Sequence, residues 1–292
     1  MPSRIVFIFN PAAGSRRRAR LHAALDLLRG IGLRIELAET QRRGDATRLA
    51  RAAASEGGTI VAAGGDGTIA EVAAGIAGSD AALGILPLGT ANVFALERGI
   101  PLKAEEAAVV IAMGRTVPFR PGLSRCGSAA GVLFVQMMGA GLDAAVVRAL
   151  PTSLKRALGK GAYLLQTLRE IARHDVSPLN IVADGEAIDA NSVVVTKGRL
   201  YAGRFVIAPG ADARDEDFHV VALKQSGRAD LMRHAVALPL GLVPRLPEVR
   251  ILRARHISIR GDGGPLQADG DPAGLLPVEI APAATSIRLV VP

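Results

Sequence analysis

Three short polar turns follow apolar runs in the first third of the chain, and all three carry residue types suited to holding phosphate. Asn10-Pro11-Ala12-Ala13-Gly14 follows the run over residues 5–9, Gly64-Gly65-Asp66-Gly67-Thr68 follows 59–63, and Gly89-Thr90-Ala91-Asn92 follows 82–86. Glycine tolerates positive φ and lets backbone approach a ligand closely, and the amides at the start of a following helix favour an anion. Asp66 is out of place in a plain anion nest, because its charge repels phosphate unless a cation lies between them. The middle turn therefore predicts phosphate together with a metal.

The elements that position these turns are readable from periodicity. Apolar runs over 5–9, 34–38, 59–63 and 82–86 predict buried strands, and helices are predicted over 16–31, from an Asp45 cap to about 56, over 68–77 and over 105–113. Alternating strands and helices with glycine turns between them predict an open parallel sheet whose ligand lies at the strands' carboxyl ends. In the first helix Leu21, Leu25 and Leu28 fall at helical spacing. Arg16, Arg17, Arg18 and Arg20 crowd its first turns, where the helix dipole disfavours cations; this reads either as a call for an anionic partner or as a solvated basic face.

Beyond residue 120 the pattern shifts to short runs over 132–137, 180–183, 192–196, 205–208, 219–223, 257–260, 278–281 and 287–291. These predict a second, mainly β domain interrupted by helices over 163–174 and 228–238. The expected division is an α/β domain over 1–120 and a β-sandwich over 121–284, with a last strand over 285–292 returning to the first domain.

Composition narrows the class. Hydrophobic residues make up 49% of the 292, which excludes disorder, and a net charge of +8 predicts an anionic partner. Cys126 is the single cysteine, so no disulfide framework exists and a cytosolic compartment fits. The opening apolar run is too short for a signal peptide, and no stretch approaches the roughly 20 apolar residues of a membrane span. His22, His174, His219, His234 and His256 show no metal spacing, and no aromatic-rich basic face supports nucleic-acid binding.

Neither a Gly-x-x-x-x-Gly-Lys-[Ser/Thr] loop nor a Gly-x-Gly-x-x-Gly turn after the first strand is present. As a set, in order and spacing, the three turns resemble the diacylglycerol-kinase catalytic domain family of lipid kinases. Met138-Gly139-Ala140-Gly141-Leu142-Asp143-Ala144 and Tyr201-Ala202-Gly203-Arg204-Phe205-Val206-Ile207-Ala208-Pro209 are similar to that family's second-domain motifs. The resemblance implies an N-terminal nucleotide domain, a C-terminal sandwich bearing a lipid pocket, and catalysis in the cleft between them. It assigns ATP contacts to Asn10, Pro11, Ala12, Ala13, Gly14, Thr40, Gly64, Gly65, Asp66, Gly67, Thr68 and Thr90, with Asp66 serving the Mg²⁺-nucleotide.

Phosphoryl transfer to an alcohol also needs a carboxylate beside the acceptor hydroxyl. Two turns offer one, Asp184-Gly185-Glu186 and Asp269-Gly270-Asp271, and local chemistry does not rank them, because Asp-Gly between strands is also a hairpin signal. The family's Asp-Gly-Glu lies near the C-terminus, so the resemblance assigns catalysis to Asp269 and Asp271, with Asp271 one methylene shorter than the family's Glu. In some relatives an acidic loop binds a structural Mg²⁺; here that loop reads Asp212-Ala213-Arg214-Asp215-Glu216-Asp217, with Asp212, Asp215 and Asp217 as the expected ligands, although an arginine has entered and a glycine is gone. Lys155, Arg156 and Lys160, ahead of the stripe Leu164, Leu165, Leu168 and Ile171, join Arg16 to Arg20 as an expected basic surface for anionic headgroups. The resulting expectation is a cytoplasmic enzyme, peripheral at the inner membrane face, using ATP and Mg²⁺ on a lipid; a homodimer is left open. The rival readings are an NAD kinase, which shares the glycine turn, and a nucleotide- or lipid-binding regulator that has lost catalysis.

Overall fold

The computed structural model describes residues 4–11, 15–149, 177–224 and 227–292. The predicted helix over 163–174, Lys155, Arg156, Lys160 and the apolar stripe that follows them lie outside these residues, as do Ala12, Ala13 and Gly14. Two compact units divide the chain: Met1–Pro121 with Ala284–Pro292, and Gly122–Ala283.

The first unit contains, in order, β1 (Ile5–Phe9), α1 (Ser15–Gly30), β2 (Ile35–Glu39), α2 (Asp45–Ala54), β3 (Thr59–Gly64), α3 (Asp66–Ile76), β4 (Ala82–Pro87), α4 (Val93–Glu97), α5 (Ala104–Met113) and β5 (Thr116–Phe119). The sheet runs β2-β1-β3-β4, then the C-terminal strand Ile287–Val290, then β5, and every pairing is parallel except the last. All five residues of β1 are buried, as a strand covered on both faces requires. Ile5, Phe7, Phe9, Val61 and Ala63 turn to one face and pack under Leu21, Leu25 and Leu28 of α1 and Ala107 and Ile111 of α5. Strand alternation sends Val6, Ile8, Ile60 and Ala62 to the other face, toward α2 and α3. These two helices approach so closely that a Cβ on Gly75 meets Ala50 and the Thr47 carbonyl. The chain leaves β1 for β2 on one side and later adds β3 on the other, so the topological switch point lies between β1 and β3.

The second unit contains β6 (Gly122–Arg125), β7 (Val132–Phe134), β8 (Met137–Ala140), α6 (Leu142–Ala149), β9 (Leu179–Ala183), β10 (Glu186–Ala190), β11 (Ser192–Thr196), β12 (Leu200–Tyr201), β13 (Phe205–Val206), β14 (Phe218–Leu223), α7 (Arg228–Ala237), β15 (Val249–Ala254), β16 (Ile257–Arg260), β17 (Pro265–Ala268), β18 (Asp271–Leu275) and β19 (Val278–Pro282). Two six-stranded sheets, β10-β9-β16-β19-β6-β7 and β15-β14-β11-β8-β17-β18, share one core in which Phe134, Ile181, Ile257 and Ile280 meet Met138, Val193, Val195, Phe218 and Val220. The run 132–137, expected as one strand, is broken at Val135-Gln136, and its halves serve different sheets. Among the described residues no helix is long and apolar enough to cross a membrane.

Candidate active site

The three polar turns lie at the carboxyl ends of β1, β3 and β4, all in the first unit. Asn10 continues β1 by donating its amide to the Ala63 carbonyl at 3.3 Å, and Thr40, just past β2, is buried with its amide donating to the Phe9 carbonyl at 2.9 Å. A Cβ on Gly64 collides with the Thr68 side chain, and one on Gly89 sits 2.5 Å from the Gly65 Cα. Gly64 and Gly89 are thus required by contact, and the two phosphate-type turns touch backbone to backbone. Asn92 closes the second turn, with Oδ1 accepting from the Gly89 amide at 2.8 Å and Nδ2 donating to the Gly89 carbonyl at 3.0 Å. Its φ of 49° lies in the left-handed region that asparagine tolerates.

Asp66 joins the two turns. Its Oδ1 accepts the Phe94 amide at 3.0 Å at the start of α4. Burial pushes its pKa up, opposed by amide hydrogen bonds from Phe94, Val93 and Asn92. The puzzling carboxylate is therefore occupied in capping a neighbouring helix and bracing the Gly64–Thr68 turn against the Gly89–Asn92 turn. The expectation that it serves the metal-nucleotide did not foresee this contact, which is not readable locally because the partner amide is 28 residues away.

The basic cluster on α1 is also tied inward. Arg17 donates to Thr90 Oγ1 at 3.2 Å, Arg18 forms an ion pair with Glu39 at 2.8 Å, and Arg20 donates to the carbonyls of Pro87 at 2.9 Å and Leu102 at 2.6 Å. Burial and then neighbouring Arg20 push the Arg17 pKa down. Among the described residues of the predicted basic surface, Arg17 reaches the Thr90 turn.

The acid half lies in the second unit. Asp269 and Gly270 form a two-residue turn, with φ of 49° and 82°, between the paired residues Ala268 and Asp271. Both oxygens of the Asp269 carboxylate are engaged, Oδ2 by the Val135 amide at 2.7 Å and Oδ1 by the amides of Gln136 and Met137 at 2.8 and 2.9 Å. These three donors are the break in the 132–137 run, which splits because its amides turn to a carboxylate instead of a ladder. Gln267, buried, accepts the Gly270 amide at 2.9 Å through Oε1. Asp271 opens the edge strand β18, half-buried, followed by Pro272 and a register shift opposite Leu266/Gln267. A bulge beside the turn re-aims the side chains next to it.

The other candidate, Asp184-Gly185-Glu186, is a hairpin between β9 and β10, with φ of 47° and 90°. Asp212, Asp215 and Asp217 are not gathered as a ligand set: Asp212 meets Arg214, and Asp215 and Asp217 share Arg253. Among the described residues no group of three His, Cys, Asp or Glu side chains is arranged to hold a metal.

An open parallel sheet with paired phosphate-type turns, carried with a β-sandwich that holds a braced acid hairpin, defines a two-domain phosphotransferase. The family model described as the diacylglycerol kinase catalytic domain matches residues 4–123, and one described as a YegS C-terminal NAD kinase beta sandwich-like domain matches 136–291. The chain belongs to the diacylglycerol kinase and YegS-like family of lipid kinases. It is 30% identical to a diacylglycerol kinase of Bacillus subtilis over 98% of this chain and 95% of that one. It is 32% identical to a YegS-like lipid kinase of Pseudomonas putida over 92% of this chain and 90% of that one. In fold it is similar to a diacylglycerol kinase from Bacillus anthracis, with a TM-score of 0.79 covering 100% of this chain and 97% of that one at 22% identity.

Proposed function

We propose that this lipid kinase transfers the γ-phosphate of ATP to a lipid hydroxyl, with diacylglycerol or a sphingoid-like lipid as the acceptor. The observation that carries the reading is the backbone contact between the Gly64–Thr68 and Gly89–Asn92 turns beside the switch point, locked by Asp66 on the Phe94 amide. Two turns held together in this way need not reorganise when a polyphosphate binds beside them. Asn10 and Pro11 flank the switch point from β1, and Thr40, Thr68 and Thr90 border it, with the Arg17 guanidinium at Thr90. Mg²⁺ bound with the nucleotide would neutralise its phosphate charge.

In the second unit the two acids divide the work. Three backbone amides already occupy Asp269, so its part is to fix the hairpin and thereby the position of its neighbour. Asp271 is the base: it orients the lipid hydroxyl and accepts its proton as the oxygen attacks phosphorus. The protein approaches anionic headgroups peripherally, and its positive charge of +8 supports that approach.

Incubating the chain with γ-labelled ATP, Mg²⁺ and a lipid extract tests the reading. Label is expected in a lipid phosphate. No labelled lipid under any Mg²⁺ condition, or formation of NADP from NAD and ATP in its place, overturns it.

A further inference from the structure

The segment Asp212-Ala213-Arg214-Asp215-Glu216-Asp217 has the acidic composition of a divalent-cation loop, yet its donor set is already committed to side chains of the protein. Asp212 accepts from the Arg214 amide at 2.9 Å and from its guanidinium Nε at 2.9 Å. One nitrogen of Arg253, Nη2, donates to Asp215 Oδ2 and to Asp217 Oδ2, each at 3.1 Å. Arg255 donates to Glu216 Oε2 at 2.8 Å. Beneath the loop lies Lys197, only 1% exposed, whose Nζ is 2.6, 2.9 and 3.4 Å from the carbonyl oxygens of Asp215, Glu216 and Asp217.

Three consecutive carbonyls converging on one point are the kind of ligand a loop offers to a hard cation. Here the point is taken by an ammonium, whose three N–H donors match three acceptors. The Phe218 ring faces the same nitrogen, with its centroid 5.0 Å away. Around the outside, the loop's four carboxylates meet Arg214, Arg253 and Arg255, so neither its backbone nor its side chains call for a further charge. The lysine's backbone is anchored directly after β11, its own amide donating to the Gln136 carbonyl at 2.8 Å.

We infer that Lys197 and Arg253 are the resident cations of this loop, Lys197 ordering its carbonyls from within and Arg253 bridging the Asp215 and Asp217 carboxylates from without, so that the loop is held with no divalent ion. The chain then needs Mg²⁺ only as its nucleotide does. Because Gln136 also gives its amide to Asp269, the lysine and the acid hairpin share one anchor residue.

Thermal unfolding of the full chain without nucleotide tests this independently of any lipid kinase assay. Melts are compared in EDTA, in millimolar MgCl2 and CaCl2, and in KCl of matched ionic strength. The wild-type Tm is expected to be the same in all four. Arg253→Gln releases two neighbouring carboxylates at an exposed position while keeping Lys197, and its Tm is expected to fall in EDTA and to recover in CaCl2 or MgCl2 beyond the KCl control. A wild-type Tm that rises with either divalent ion overturns the inference, and so does an Arg253→Gln variant that responds to neither. Lys197→Met is expected to lose stability that no cation restores; should it fail to fold, the Arg253 variant still decides.

Discussion

The hairpins at Asp184-Gly185-Glu186 and Asp269-Gly270-Asp271 share one construction in two surroundings. Each makes a two-residue turn with both φ values positive, and each leads into an edge strand, β10 in one sheet and β18 in the other. In each, the Asp amide donates 2.9 Å to a carbonyl of a neighbouring segment, His256 in one case and Met137 in the other, and the Asp carboxylate accepts amides from that same segment. The differences begin with burial. Asp184, Gly185 and Glu186 are all exposed, and Glu186 pairs with exposed Arg250. Asp269, Gly270 and Asp271 are half-buried, the amides held by Asp269 belong to the buried residues Val135, Gln136 and Met137, and the strand after Asp271 carries a proline and a bulge. Asp-Gly specifies the turn, and the packing around it decides whether the acid two residues on is exposed, as Glu186 is, or half-buried, as Asp271 is.

Truncating the two turn aspartates breaks the comparison most strongly. Asp269→Ala bares three buried amides, each costing about 1–3 kcal/mol when left without a partner. The whole change is expected to cost about 3 kcal/mol or more, a Tm loss of roughly 6–12 °C by thermal melt for a unit of this size, with lipid phosphorylation lost alongside. An unchanged Tm would mean that the carboxylate does not hold the β7–β8 junction. Lengthening the acid asks a finer question: Asp271→Glu restores the family's side chain, and its kcat is expected to stay within about tenfold of wild type, a change below about 1.4 kcal/mol in barrier. A collapse of kcat would show that the pocket is fitted to the shorter acid.

The exposed hairpin is expected to give small effects. Asp184→Ala should lower the Tm by a degree or two at neutral pH. Desolvation raises the Asp184 pKa, but the amides of Arg255 and His256 outweigh it and hold the group below its ordinary value. The unfolded carboxylate therefore binds its proton first as pH falls, so the contribution is full above the ordinary carboxylate value and is lost as pH drops below about 4. Melts between about pH 5 and pH 3 should fall less steeply for Asp184→Ala than for wild type. Smallest of all, Glu186→Gln should change stability by less than about 1 kcal/mol, as an exposed ion pair does, and leave kcat untouched.

Much of the first unit was legible because its signals are local. Glycine turns after buried runs, and helices with Leu21, Leu25 and Leu28 in register, need only a few neighbouring residues to be read. What escaped depends on distant partners. Asp45 was read as a helix cap, but its carboxylate holds the Gln41 and Arg42 amides of the preceding loop, while Glu71 of α3 accepts the Gly44 and Ala46 amides at the start of α2. The run 132–137 looked continuous because the carboxylate that breaks it is 133 residues away. Arg16, Arg17, Arg18 and Arg20 read as a call for an anionic partner or as a solvated basic face, since nothing nearby in sequence announces Thr90, Pro87 or Leu102 as partners of Arg17 and Arg20. The choice between the two Asp-Gly turns was beyond local chemistry for the same reason, because turn propensity is identical and burial is a property of the fold.

Asp271, at the hairpin braced by Asp269, is the proposed base of the lipid phosphoryl transfer. The most direct measurement is lipid phosphorylation by Asp271→Asn beside Glu186→Gln, with ATP affinity measured on both. The account predicts that Asp271→Asn loses about 10²–10⁴-fold in kcat with ATP affinity unchanged. An Asp271→Asn enzyme that phosphorylates lipid within a few-fold of wild type would contradict it.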